Sequence, residues 1–181
     1  MSPPVLPAVL LVDGYNMIGL WSHLRQQRDR DGLEAARRTL SEVLANYSAF
    51  VGFETRLVFD AQYQANRKVS ETFTQNLSIH YTDCGQTADT YIEKTCATLR
   101  HEFRLIKRRL IVATSDRAQQ LTVVGYGAEW MSADQLAREV ELATRRCQQR
   151  YQPRKQSSSR FLASSLDAEA QQRLARLRRG L

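Results

Sequence analysis

Near its start the chain carries an apolar run, Val9-Leu10-Leu11-Val12, which stops at Asp13 and is followed by Gly14-Tyr15-Asn16. A run this short, bounded by a glycine turn, reads as a strand buried on both faces, because a helix needs about 10 residues or more. Such strands belong to parallel sheets with helices packed on either side. Asp13 then stands where the strand leaves the sheet, the end at which open α/β sheets bind ligands. An aspartate at that junction can equally cap the next helix. On this stretch alone both roles are open.

The same design recurs along the chain. Glu54–Phe59 rises into Leu57-Val58-Phe59 and ends at Asp60, and Leu110-Ile111-Val112-Ala113 stops at Thr114-Ser115-Asp116-Arg117. Leu77–Tyr81 reads as a half-exposed strand, with His80 a surface or satisfied histidine, and residues 128–131 as a short strand, about five in all. Helical periodicity fills the intervals. Leu33, Ala36, Leu40, Val43, Leu44, Tyr47 and Val51 form one stripe, with Asp31 as cap and Glu34 three residues on. Ile92, Cys96, Leu99, Phe103 and Ile106 form a second behind a Thr87 cap. Leu136, Val140, Ala143 and Cys147 form a third behind the box Ser132 to Gln135. Residues 25–31 read as a charged link and 61–76 as a polar segment without a motif. Ser115 reads as the cap of the helix after it, which leaves Asp116 free.

Strands alternating with helices predict an α/β fold, a mostly parallel sheet between two helical layers. Every strand's carboxyl end then points the same way, so Asp13, Asp60, Asp89 and Asp116 converge on one rim. Three further aspartates at equivalent mouths make capping the poorer reading of Asp13.

The net charge of +7 is divided unevenly. Residues 1–144 hold 16 basic and 17 acidic residues, and residues 145–181 hold 10 and 2. A basic extension on a near-neutral domain fits a polyanion partner, because neutralised phosphates release counterions. A domain over residues 1–151 is therefore expected, then a proline- and serine-bearing linker and a basic helix within 152–181. No apolar run reaches the roughly 18 residues that span a bilayer, so no membrane association is expected, and the first residues lack a secretory pattern. Cys84, Cys96 and Cys147 cannot all pair and lack zinc-knuckle spacing, so they read as small hydrophobes in a reducing setting. A cytoplasmic location follows, or a plastid stroma if a transit peptide was removed.

Several carboxylates in one cleft repel one another, and raised pKa values or a bound divalent cation resolve that repulsion. Oxygen ligands without a placed histidine or cysteine point to Mg²⁺ or Mn²⁺. Glu93, one helical turn from Asp89, adds a like charge that is unfavourable without a cation. A hard cation that bridges phosphate oxygens and activates water is the equipment of a phosphodiester hydrolase. No phosphate-binding lysine loop and no serine elbow are present. An aspartyl phosphatase would need a second aspartate where Tyr15 stands.

Leu11-Val12-Asp13-Gly14-Tyr15-Asn16-Met17-Ile18, Val58-Phe59-Asp60, Thr87-Ala88-Asp89-Thr90-Tyr91-Ile92-Glu93-Lys94 and Val112-Ala113-Thr114-Ser115-Asp116 together resemble the YacP-like NYN domain family of PIN-like ribonucleases. The resemblance covers residues 9–151 and includes relatives of a ribosome-associated mRNA endonuclease. It implies a PIN-like α/β/α sandwich and RNA cleavage at an acidic Mg²⁺ or Mn²⁺ site. By motif match Asp13, Asp60, Asp89 and Asp116 form that site with Asn16 orienting a ligand or water. Asp13, Asp89 and Asp116 would hold the metal, and Gly14, Glu93 and Ser115 would support it. Arg67, Lys68, Arg117, Arg154 and Lys155 are expected to engage the RNA backbone. The partners implied are mRNA and, through the family, the ribosome. The competing reading is a noncatalytic RNA- or ribosome-binding module that works through its basic tail.

Overall fold

In this computed structural model residues 8–60, 70–106 and 108–151 are described. In chain order the elements are β1 (Ala8–Asp13), α1 (Gly14–Leu20), α2 (Ser22–Asp31), α3 (Leu33–Val51), β2 (Glu54–Phe59), β3 (Ser70–Thr74) and β4 (Leu77–Tyr81). There follow α4 (Ala88–Ile106), β5 (Arg109–Ala113), α5 (Arg117–Gly125), β6 (Glu129–Met131) and α6 (Ala133–Tyr151). The strands make one six-stranded sheet in the order β3-β4-β2-β1-β5-β6. All neighbours run parallel except β3, which pairs antiparallel with β4 at the edge.

All six residues of β1 are buried. Because side chains alternate across a strand, Ala8, Leu10 and Val12 enter one core with Met17, Ile18, Leu40, Leu44 and Leu136. Val9 and Leu11 enter a second core with Ile92, Cys96, Phe103 and Val123. Thus α1, α2, α3 and α6 cover one face and α4 and α5 the other, a three-layer α/β/α sandwich. The helical stripes hold as expected: Ala36, Leu40 and Leu44 of α3, Ile92 and Cys96 of α4, and Leu136 of α6 are all but inaccessible. Burying a leucine of this kind stabilises the fold by roughly 1.5–3 kcal/mol. Between α3 and α6 the Tyr47 hydroxyl donates to Glu139 at 2.6 Å.

Four local expectations are corrected. Residues 25–31 are not a link but most of α2. That helix buries only Leu24 and is fixed at its start by the Trp21 indole N–H, which donates to the Ala133 carbonyl at 2.9 Å. Asp31 does not cap α3. Gly32 (φ +93°) occupies the cap position, Asp31 pairs with Arg30 and Glu34 pairs with Arg37. Part of the polar segment after Asp60 is a strand, β3, whose five residues are all exposed; an edge strand with no buried face carries no apolar alternation to read. Of the cysteines only Cys96 is buried, while Cys84 is exposed.

The chain divides into compact units Met1–Cys147 and Gln148–Leu181. Of the second, residues 148–151, the last turn of α6, are described. Residues 152–181, with Arg154 and Lys155, and residues 61–69, with Arg67 and Lys68, lie outside the described residues.

Candidate active site

The sheet order decides where the carboxylates meet. β1 lies between β2 and β5, so the chain builds outward to one side of β1 and then returns to build on the other. In open α/β sheets the crevice at such a reversal, beyond the carboxyl ends of the strands, is where ligands bind. Asp13 ends β1, Asp60 follows β2, Asp116 follows β5 through Thr114 and Ser115, and Asp89 lies in the first turn of α4.

Each carboxylate has a protein anchor. Asp13 is the N-cap of α1 and accepts from the Asn16 backbone N–H at 3.1 Å. Asp60 Oδ1 accepts from the Thr82 hydroxyl at 3.2 Å. Asp116, not Ser115, caps α5, its Oδ1 accepting from the N–H groups of Ala118 and Gln119 at 2.7 and 3.0 Å. Ser115 Oγ accepts instead from the N–H of Ala133, where α6 begins. Asp89 Oδ1 accepts from the side-chain amide of Gln119 at 2.7 Å. Thr87 caps α4 as expected, its hydroxyl accepting from Thr90 N–H.

Two of these acids, Asp13 and Asp89, are held above the usual carboxylate range. Burial pushes the Asp13 carboxyl up to about 6, against hydrogen bonds from Asn16 and Tyr15, and the charges of Asp89 and Asp60 raise it further. Asp89 is also raised, first by burial and then by Asp116, Glu93 and Asp60. Among the described residues no salt bridge reaches any of the four. An all-oxygen, mutually repelling set of this kind has the donor chemistry of a hard divalent cation site. As the side chains stand, no three carboxylate, imidazole or thiol groups among the described residues are gathered closely enough to hold an ion. Asp13, Asp89 and Asp116 thus match such an ion in donor chemistry and in lying at the carboxyl-end rim of the sheet, and not in present side-chain spacing.

The neighbouring residues take definite places. The Asn16 side-chain carbonyl accepts from Ser115 N–H at 3.0 Å, tying the start of α1 to the turn before α5. Gly14 does leave room, but for Phe59. A Cβ there would lie 2.2 Å from Phe59 Cε1. Glu93 acts on Asp89 through its charge, and Arg117 is exposed at the first position of α5. His80 is satisfied, its ring nitrogens bonded to the Ser78 and Tyr91 hydroxyls at 2.9 and 3.0 Å.

Gln119 was not foreseen. Its side chain is 2% exposed, donates to Asp89, and leaves Oε1 buried with no partner among the described residues. The sequence offers only Asp116-Arg117-Ala118-Gln119, a capping-box pattern that would turn the side chain back onto its own helix, and nothing in it aims Gln119 at Asp89.

Comparison with known proteins agrees with this architecture. The sequence matches the YacP-like NYN domain family over residues 10–179, a span that runs into the basic tail. It is 37% identical to protein YacP of Bacillus subtilis (strain 168) over 142 residues, 78% of this chain and 80% of that protein. The crystal structure of Rae1 (YacP) from Bacillus subtilis superposes with a TM-score of 0.65 at 34% identity, covering 95% of each chain. A crystal structure of a mutant of that protein gives 0.67 at 33% identity, covering 94% of this chain and 99% of that one. The fold is PIN-like, and the chain belongs to the YacP-like NYN domain family.

Proposed function

We propose that the chain is a Mg²⁺- or Mn²⁺-dependent endoribonuclease that hydrolyses RNA phosphodiester bonds at the rim of Asp13, Asp60, Asp89 and Asp116. The observation that carries this reading is the topology that brings four aspartates to the carboxyl-end rim of the sheet, where Asp89 and Asp60 raise the pKa of Asp13 and Asp116 and Asp60 raise that of Asp89, with no salt bridge to a cation among the described residues. Membership of the NYN family, whose PIN-like members are nucleases, supports it.

In this reading Asp13, Asp89 and Asp116 would hold the ion, and Asp60 would complete the acidic rim. When bound, such an ion would supply Lewis-acid chemistry toward a phosphoryl oxygen and a water of lowered pKa. The chain's own residues set the geometry. The Asn16 N–H orients Asp13, the Asn16 carbonyl holds the β5–α5 turn through Ser115 N–H, and Gln119 anchors Asp89. Arg117 stands on the same turn to meet a backbone phosphate. The tail and the cations of residues 61–69 add sequence-independent attraction. The resemblance to a family with a ribosome-associated member extends the proposal to mRNA as substrate, the ribosome as partner and the cytoplasm as setting.

The test is cleavage of single-stranded RNA in Mn²⁺ by the wild type, Asp13→Asn and Asp89→Asn. Both variants should retain the wild-type circular dichroism and lose cleavage. Undiminished cleavage by both would overturn the proposal.

A further inference from the structure

At a capping box the glutamine in the third helical position normally turns back and accepts from the N–H of its own cap residue. In α5 that default is blocked. The Asp116 N–H donates instead to Thr114 Oγ1 at 3.1 Å, and Thr114 is fully buried. Gln119 still donates its backbone N–H to Asp116 Oδ1 at 3.0 Å, but its side chain leaves the box. Nε2 reaches across to α4 and donates to Asp89 Oδ1 at 2.7 Å. Oε1 is left buried with no hydrogen-bond partner among the described residues.

A buried acceptor without a partner is unfavourable, and stability alone would favour an apolar side chain of the same shape. The arrangement therefore gives up stability for one bond, from an uncharged donor to a carboxylate on another helix. A lysine or arginine there would neutralise Asp89 and compete with a cation for it. The glutamine amide orients the carboxylate and leaves its charge intact. The same residue touches Asp116 through its backbone, so one residue links two acids that lie 27 positions apart in the chain.

We propose that Gln119 is a positioning residue, holding the Asp89 carboxylate in register with Asp116 across the α4–α5 boundary so that both face one ion. This rests on the reading of the rim as a metal-dependent nuclease site.

The test compares wild type with Gln119→Leu and Gln119→Glu by three measurements: steady-state cleavage of single-stranded RNA, the urea unfolding midpoint, and Mn²⁺ binding by calorimetry. Gln119→Leu removes the donor together with the unpartnered acceptor. It should lower kcat about 10- to 100-fold, the range typical for outer partners of ligating groups, with KM for RNA unchanged and the unfolding midpoint unchanged or raised. Its Mn²⁺ affinity should fall by about 10-fold. Gln119→Glu, which sets a negative charge against Asp89, should lose at least as much kcat. A parallel fall of kcat and unfolding midpoint in Gln119→Leu would mark a structural role and overturn the inference, as would unchanged kcat. If the wild type does not cleave RNA, the nuclease reading fails and the calorimetry decides separately. Weaker Mn²⁺ binding by Gln119→Leu would then sustain the positioning role, and equal binding, or none to either protein, would overturn it.

Discussion

Replacing Gly14 by alanine puts one methyl group at the most crowded point of the rim. The added carbon would lie 2.2, 2.6 and 2.8 Å from Phe59 Cε1, Cδ1 and Cζ. Ordinary carbon contacts begin near 3.5 Å, so the ring must retreat by roughly 1.3 Å. It has little room to do so. Phe59 is fully buried, with the Tyr15 and Tyr81 rings at 5.1 and 6.0 Å and the Arg37 guanidinium at 5.9 Å from its centre. Overpacking of this kind costs about 1–3 kcal/mol, and the pinned ring places Gly14→Ala toward the top of that range, less a few tenths regained from helix propensity. At a denaturant slope of about 2 kcal/mol per molar, the urea midpoint should fall by roughly 1 M, and Tm by about 5–10 °C. The assay is urea unfolding followed by the fluorescence of Trp21 and Trp130. Phe59→Leu, which shortens the side chain that clashes, should recover part of the loss in the Gly14→Ala background, giving a coupling of about 1 kcal/mol or more in a double-mutant cycle. A Gly14→Ala midpoint equal to or above that of wild type would refute the reasoning, because the ring would then be free to yield. Since Phe59 directly precedes Asp60 and Gly14 directly follows Asp13, RNA cleavage should decline beyond what the unfolded fraction explains.

Two further predictions concern charge. Folding raises Asp13 from its ordinary 3.8 to about 6, so the native state holds the proton more tightly than the unfolded chain. Its contribution is then fully present below pH 3.8 and lost as pH rises through about 6, a swing of about 3 kcal/mol. Asp13→Asn, which keeps a good cap residue, should be the more stable protein at pH 8 by up to that amount and indistinguishable near pH 3.5; equal urea midpoints at pH 8 would contradict the burial argument. Deleting residues 152–181 removes seven basic and two acidic residues. RNA affinity should weaken and its salt dependence flatten by roughly 0.7 per lost phosphate contact, while turnover at saturating short RNA persists; an unchanged salt slope would show that the tail makes no phosphate contacts.

What the sequence made legible was whatever depends on burial. The run Val9 to Val12 reads as a covered strand, and its repetition before Asp60 and Asp116 points to the parallel sheet that the fold has. Elements that bury little were illegible for the same reason. α2 rests on Leu24 and Trp21 amid charged residues, and β3 has no buried face. Side-chain partners one position apart were equally hard to read. Ser115 and Asp116 are both good caps, and only the fold shows that Ser115 serves α6 while Asp116 serves α5. Gln119 was hidden by its own motif, because the capping box it spells is not the contact it makes.

Capping and acid clustering, opposed in the sequence, are one device in the fold. Helix N-termini carry partial positive charge and favour a nearby carboxylate. With β1 between β2 and β5, the parallel connections bring the N-termini of α1, α4 and α5 to the rim that holds Asp13, Asp89 and Asp116. Two of those acids are caps and the third lies in a first turn. Backbone N–H groups thus offset part of the repulsion without supplying a full countercharge. At Asp13 the offset falls short, because burial outweighs the bonds from Asn16 and Tyr15. A cation added to the rim would relieve that residual strain, so Mn²⁺ should raise the stability of wild type at pH 8 more than that of Asp13→Asn. The acid that costs the fold most is therefore the one whose cost a bound ion would remove.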